Sequence, residues 1–341
     1  MNVNKSELQR ALEIVKPGLA NKELIEQSTS FAFIDGRVVT FNDEISISHP
    51  ITGLDLNGAV KADKLYALLD RVKKEEIDIT VTGNELMIKS GRAKASFTLQ
   101  QEIILPIDEE IPKRGKWKTL PELFLKSMSF VVSSCTKSMS DPILMAVHVN
   151  RDGYVEASDS YRITRCELKE EMPIDTFLLP AESTLNMIRL QPTKIAEGAG
   201  WVHFKTEEGT VMSCRILEDE FPNDACNRFL KMKGTRLLLP KSVEAILGRA
   251  EVFAKRDHAL DESITISLAE NKFKMSSNAD TGWFAETVNI KYDAEPFSFK
   301  ITPFLLRSIL AETRACELSS KKIKFQGEGW IYVALLRHSK D

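Results

Sequence analysis

Helix signals come in six places along the chain, from apolar residues at helical spacing or a proline at the first turn, and short strands with turn signals fill the intervals. Leu8, Ala11, Leu12 and Val15 share one face of a helix expected over residues 6–15, and Leu65, Leu68, Leu69 and Val72 do so over 62–72. Further helices are expected over 121–134, 180–190, 240–254 and 303–311. All four open on a proline, which loses no hydrogen bond in a first turn because that N–H has no partner there. Between residues 153 and 168, Val155, Ala157, Tyr161 and Ile163 alternate with more polar neighbours. Ser158, Asp159 and Ser160 supply turn chemistry, so a hairpin is expected with one strand ending at Ala157 and the next starting at Arg162. Stretches 33–47 and 264–290 read the same way, around an Asp-Gly turn and around Asn278-Ala279-Asp280. Hairpins are also expected around Gly83-Asn84, Glu207-Glu208-Gly209 and Gly327-Glu328-Gly329.

The spacing of these elements repeats. Pro121 and Pro240 stand 119 residues apart, Lys61 and Pro180 also 119, and Pro180 and Thr302 122. Each interval carries helix, strands, helix, strands in that order. The fold class expected is therefore α+β, in three tandem domains over 1–113, 114–233 and 234–341, each a doubled helix-plus-strands unit. Short polar and basic linkers fall near 112–119 and 231–235.

Composition narrows the chemistry. The longest apolar runs, 143–147 and 330–336, are too short to span a bilayer, and the first residues form no apolar signal region, so a cytoplasmic location is expected. The 46 basic and 49 acidic residues leave a net charge of −3, so any nucleic acid must be met by one locally basic face. Five cysteines without C-x-x-C spacing read as reduced, buried thiols. Five scattered histidines lack metal spacing, and no Gly-rich phosphate loop is followed by Lys-Ser/Thr. Cys214 with His203 is the nearest approach to a catalytic dyad, and the acidic runs at 108–110 and 218–220 read as solvated loops. No cofactor, metal or catalytic residue is expected.

Four stretches, in order, carry a resemblance to a known family. Residues 64–99 look like the second half of the first domain of the bacterial sliding clamp, the β subunit of DNA polymerase III. Ala-Ser-Asp-Ser-Tyr-Arg-Ile at 157–163 resembles that family's Ala-Thr-Asp-Gly-His-Arg-Leu. Arg-Ile-Leu-Glu-Asp-Glu-Phe-Pro at 215–222 is similar to its Arg-Leu-Ile-Glu-Gly-x-Phe-Pro, and Tyr-Val-Ala-Leu-Leu-Arg at 332–337 to its closing Tyr-Val-Val-Met-Pro-Met-Arg-Leu. The resemblance implies a head-to-tail homodimer ring with helices inside and sheets outside. It implies a processivity factor that encircles double-stranded DNA and tethers a polymerase, opened by a clamp loader that uses ATP. The chain itself would hydrolyse nothing.

On that resemblance the DNA-facing residues are Arg10, Lys16, Arg71, Lys73, Lys126, Arg189, Lys194, Arg249 and Arg307. Arg10, Arg71, Arg249 and Arg307 lie off the apolar helix faces, Arg189 flanks one, and the lysines sit near helix ends. Long cations so placed would make sequence-independent, salt-sensitive contacts to phosphates. Matched position by position, a pocket for short apolar peptide motifs would include Ile143, Ser158, Ser160, Tyr161, Arg162, Ile163, Pro222, Val333, Ala334, Leu335, Leu336 and Arg337. Ser160 stands in place of a glycine, Tyr161 in place of a histidine, and the closing proline is missing. These departures mark a divergent or phage-encoded member. The competing readings are a metal-dependent DNA-modifying enzyme, which needs clustered carboxylates, and a peptide-binding scaffold with no DNA role.

Overall fold

The computed structural model describes residues 1–106 and 116–338. Half of the 112–119 linker, the acidic run at 108–110 and residues 339–341 lie outside the described residues. The chain repeats one order six times: a short strand, a helix, and a three-strand meander. The first copy is β1 (Asn2–Asn4), α1 (Lys5–Val15), β2 (Ser30–Ile34), β3 (Arg37–Phe41) and β4 (Ile45–Pro50). The second is β5 (Gly58–Lys61), α2 (Ala62–Arg71), β6 (Glu76–Thr82), β7 (Glu85–Ser90) and β8 (Ala93–Thr98). The third is β9 (Lys118–Thr119), α3 (Phe124–Val131), β10 (Ala146–Asn150), β11 (Tyr154–Ser158) and β12 (Arg162–Glu167). The fourth is β13 (Phe177–Pro180), α4 (Ala181–Leu190), β14 (Lys194–Gly198), β15 (Trp201–Lys205) and β16 (Val211–Arg215), followed by an additional helix α5 (Asn223–Leu230). The fifth is β17 (Thr235–Leu238), α6 (Val243–Ala254), β18 (Ile264–Ala269), β19 (Lys272–Ala279) and β20 (Gly282–Asn289). The sixth is β21 (Phe297–Ile301), α7 (Pro303–Leu310), β22 (Ala315–Leu318), β23 (Lys322–Gly327) and β24 (Trp330–Leu335), after which β25 (Arg337–His338) follows.

The helical spacing holds. α1 buries Leu8, Ala11, Leu12 and Val15, and the Asn4 side chain caps it by accepting from the Glu7 N–H at 3.0 Å. Of the four prolines read as first helical residues, only Pro303 is one. Pro121 and Pro240 instead offer their carbonyls to the N–H groups of Phe124 (3.0 Å) and Val243 (3.1 Å), a tight turn that precedes the helix. Pro180 is the cap before α4. No helix among the described residues is long and apolar enough to cross a membrane.

By packing the chain forms two compact units, Met1–Leu125 with Met172–Glu218, and Lys126–Glu171 with Asp219–Asp341. In the first unit three leading strands cross to another copy's meander: β1 pairs with β6, β5 with β2, β9 with β14. The third strands β4 and β16 then pair through Ile47↔Met212 and Ile45↔Cys214. This makes the sheet β5-β2-β3-β4-β16-β15-β14-β9, two four-strand halves joined at a seam. The unit's other sheet, β1-β6-β7-β8, is one such half and stops at β8. In the second unit β17 pairs with β22 and β21 with β18, and the third strands β12 and β24 pair through Arg162↔Ala334 and Thr164↔Tyr332. Its other sheet, β20-β19-β18-β21-β25, stops at β20. Strand alternation sets which residues face the helices: Ile264, Ile266 and Leu268 of β18 are buried with Val243, Ile246 and Leu247 of α6 and Leu305, Leu306 and Ile309 of α7.

All five cysteines are buried and unpaired with one another. Burial pushes the thiols of Cys135, Cys166, Cys226 and Cys316 up to about 12. The unfolded thiol ionises near about 8.5. The stability these thiols contribute is therefore full below that value and is lost as pH rises toward the native value. Burial raises Tyr154 and Tyr332 in the same direction. Urea unfolding should show a midpoint that holds to about pH 8 and then falls steadily in alkali, and a thiol reagent should label the native chain far more slowly than the unfolded one.

Candidate functional site

Each of the six repeated helices carries one exposed cation from the sequence-based set: Arg10, Arg71, Lys126, Arg189, Arg249 and Arg307. Lys16, Lys73 and Lys194 are exposed beside them in connecting segments or at a strand start. The structure brings Lys16 and Arg189 to one depression of the first unit. It also gives several of them acidic partners, which the helical wheel alone does not show. Arg10 meets Glu208 at 3.1 Å, Arg249 is held by both oxygens of Glu286 at 2.9 Å, and Arg307 is paired with Glu251. The Lys16 ammonium lies 4.3 Å over the Tyr66 ring. Arg71, Lys126 and Arg189 have no ion pair among the described residues. Glu7, Glu13, Asp63, Asp70, Glu182 and Glu244 share these helices, so the surface is mixed rather than strongly basic.

A second feature is a cleft of about 690 Å³ in the second unit, built on the β11–β12 turn. Asp159 Oδ1 accepts from the N–H groups of Tyr161 (3.1 Å) and Arg162 (3.0 Å), closing an Asx turn that holds Ser160 at φ 70°. The Arg162 guanidinium is buried. Its Nε donates to Asp159 Oδ2 at 3.0 Å, one terminal nitrogen to Ser308 Oγ at 2.8 Å, and the other to the Ser133 carbonyl. It also stands 5.1 Å over the Phe304 ring. Burial is the main influence on Asp159 and raises its carboxyl, with the Arg162 charge opposing. Each of the three guanidinium nitrogens of Arg162 thus already donates within the chain, so it shapes the floor of the cleft and is not a free anion receptor.

Of the expected pocket residues, Ser160, Tyr161 and Arg162 line this cleft. Ser158 lies beneath it and donates to the Arg162 carbonyl at 2.8 Å. Ile163, Val333 and Ala334 are buried strand positions behind the wall, with Ile163 opposite Val333. Ile143 is half-buried beside the lining residue Leu144. Leu335 is half-buried and Leu336 buried, while Arg337 donates to the Leu260 carbonyl at 2.8 Å. Pro222 is exposed at the start of α5, away from the lining. The sequence reading did not include the loop from Cys135 to Asp141, nor Leu260 and Phe304, which complete the wall. The serine-rich stretch 133–140 is the signal in the sequence that marks this loop.

Cys214 and His203 do not form a dyad. His203 is opposite Ser213 in the β15–β16 register and bonds its hydroxyl at 2.8 Å, while Cys214 is opposite Val202 and faces the other side of the sheet. Burial raises the Cys214 thiol strongly. Among the described residues no three His, Cys, Asp or Glu side chains converge on a metal-sized site.

No family model matches the sequence, and no curated protein matches it either. The structure, in contrast, superposes on solved structures along nearly its whole length. Against a DNA polymerase III subunit beta from Pseudomonas aeruginosa the TM-score is 0.85 at 16% identity, covering 99% of both chains. A DNA polymerase III beta subunit from Thermotoga maritima gives 0.80 at 18% identity over 98% of both chains. A DNA polymerase III beta chain from Streptococcus pneumoniae gives 0.85 at 15% identity over 99% of both. The architecture is therefore the sliding-clamp fold. Its three-domain arrangement of doubled α+β units is that of the DNA polymerase III beta subunit.

Proposed function

We propose that this chain is a DNA sliding clamp: two copies close head to tail into a ring around duplex DNA and tether a polymerase through a peptide held in the cleft beside Arg162. The observation that carries the proposal is the pair of unfinished sheets. Two seams inside the chain join the third strand of one copy to the third strand of another, β4 to β16 and β12 to β24. β8 and β20 are third strands of the same kind with no such partner among the described residues. A second copy of the chain supplies one for each.

The inner seams also give the register. The pairs Phe41↔Ser46, Ser158↔Ile163 and Asn278↔Trp283, each with four residues between the partners, align β4, β12 and β20. The bonds Ile216 N–H to Gly200, Leu336 N–H to Lys321 and Leu99 N–H to Asn84 align β16, β24 and β8. Transferred to the outer seam, Arg162↔Ala334 becomes Gly282 opposite Phe97, and Thr164↔Tyr332 becomes Phe284 opposite Ala95. Large faces small at both places, as close packing requires. Closure by shape explains why a nearly neutral helix surface suffices: a topological link needs no tight grip, and weak phosphate contacts leave the ring free to slide. The reading gives this chain no catalytic step.

The deciding experiment loads the protein onto nicked circular DNA with a cognate ATP-dependent loader and passes it through a gel-filtration column. A clamp co-elutes with the circle and is lost once the circle is linearised. Equal retention on both forms would refute topological binding. A milder test addresses the helix cations. Replacing Arg71, Lys126 and Arg189 by alanine should weaken loader-free duplex binding and flatten its log–log salt dependence, by about 0.9 in slope for each phosphate contact removed. An unchanged slope would remove these residues from the DNA-facing set.

A further inference from the structure

The cleft beside Arg162 has an internal counterpart in the first unit, and we infer that this counterpart is a second peptide-binding site with different specificity. The inference rests on reading the first cleft as a peptide site. The loops and turns of the two are tied by matching bonds, although Ile45 stands where Arg162 does. Leu19 N–H to Lys16 (3.0 Å), Ala20 N–H to Ser28 (2.9 Å) and Ser28 N–H to Ile25 (3.0 Å) match Cys135 N–H to Val132 (3.2 Å), Thr136 N–H to Leu144 (2.9 Å) and Leu144 N–H to Asp141 (3.2 Å). The loops 19–28 and 135–144 thus have equal length and the same internal ties. The turns match as well. Asn42 Oδ1 accepts from Glu44 (3.1 Å) and Ile45 (2.9 Å) as Asp159 Oδ1 accepts from Tyr161 and Arg162, and Asp43 has φ 75° where Ser160 has 70°.

These equivalent segments line an open depression of about 790 Å³ in the first unit, against about 690 Å³ for the cleft in the second. Position by position, Leu19 lines it in place of Cys135, Ala20 in place of Thr136 and Leu24 in place of Ser140. Asn42 takes the place of Asp159, Glu44 that of Tyr161, and Glu182 at the start of α4 that of Phe304 at the start of α7. The loop side of the wall is therefore more aliphatic, while two carboxylates in place of two aromatic rings make the wall as a whole more polar. Neither Glu44 nor Glu182 has an ion pair among the described residues, and Leu24 is 92% exposed. Lys16, Lys22 and Arg189 also line the depression, which disfavours a basic run. The occupant these features fit is an extended peptide with one basic side chain between aliphatic anchors.

The test uses the full-length protein and two benzophenone-tagged peptides, Gly-Leu-Arg-Leu-Gly and Gly-Leu-Glu-Leu-Gly, photo-crosslinked and mapped by mass spectrometry. The arginine peptide should label residues 13–24 or 182–189 about tenfold more than the glutamate peptide. Glu44→Lys with Glu182→Lys, both at exposed positions, should abolish that preference while labelling of 133–141 persists and the melting curve stays unchanged. Equal labelling of 13–24 by both peptides, or a double variant that keeps the preference, overturns the inference. Labelling at 133–141 with none at 13–24 or 182–189 refutes the second site alone. No labelling at 133–141 refutes the first cleft as a peptide site, and the inference falls with it.

Discussion

Phe97→Asp should leave the chain folded and make it a monomer. Phe97 is half-buried on the edge strand β8, so the change costs the isolated chain little. In the proposed ring it would face Gly282 of the second copy. A Cβ at Gly282 would meet the Phe253 ring at 3.2 Å, so this position is small and walled by an aromatic side. A carboxylate buried there without a partner costs about 3 kcal/mol or more, a loss of more than about 100-fold in dimer affinity. Sedimentation at micromolar concentration reads the mass, and a melting curve checks the fold. A Phe97→Asp protein that remains dimeric would mean that β8 is not the closing edge. The register has its own check. Ala95→Cys combined with Phe284→Cys should give a covalent dimer on oxidation, and either change alone should not.

Arg162→Ala should be the most damaging single substitution in the cleft. The side chains of Arg162 and Asp159 are 7% and 11% exposed, and the guanidinium ties together the turn, the end of α3 through Ser133, and α7 through Ser308. Removing one member of a buried pair strands the other, a loss of about 3–5 kcal/mol. The loss has a definite pH dependence. Burial already holds the Asp159 carboxyl above its usual range, and without the Arg162 charge only the backbone N–H groups of residues 161 and 162 oppose that rise. For a carboxyl raised in the folded state, stability is present at low pH and is lost as pH rises through the folded value. The deficit of the variant, measured by urea unfolding against the parent, should therefore shrink as pH falls toward about 4. A deficit independent of pH would mean that the damage comes from lost packing against Phe304 and not from the stranded carboxylate. Peptide labelling of the 133–141 loop should fall with the same substitution, because the turn and the loop are both anchored on the guanidinium.

Much of the architecture is written in local pattern. The stripe Leu8–Ala11–Leu12–Val15 and its five counterparts specify helices because a 3.6-residue period leaves one face to bury. The glycine and Asx turns specify hairpins because their backbone conformations are set within four residues. Asn42 and Asp159 do the same work in two copies, and Asp43 and Ser160 take the same left-handed turn. Less was legible where an element has only two to four residues. The leading strands β9 and β17 show no period of their own, and they exist because another copy's meander offers an edge. The helix α5 also escaped notice. Its Asn227 is held by Arg165, which is committed in turn to the buried Glu156.

The amino-acid order by itself determined the six helices, most of their strands, the threefold spacing and the cations that stand off the apolar faces. Each of these follows from periods and turns that neighbouring residues settle among themselves. The tertiary structure alone decided which third strands are joined and which are left open, that Arg249 and Arg307 are already paired with Glu286 and Glu251, and that Cys214 and His203 face apart. Those facts depend on contacts between residues far apart in the chain, and only packing brings such residues within hydrogen-bonding distance.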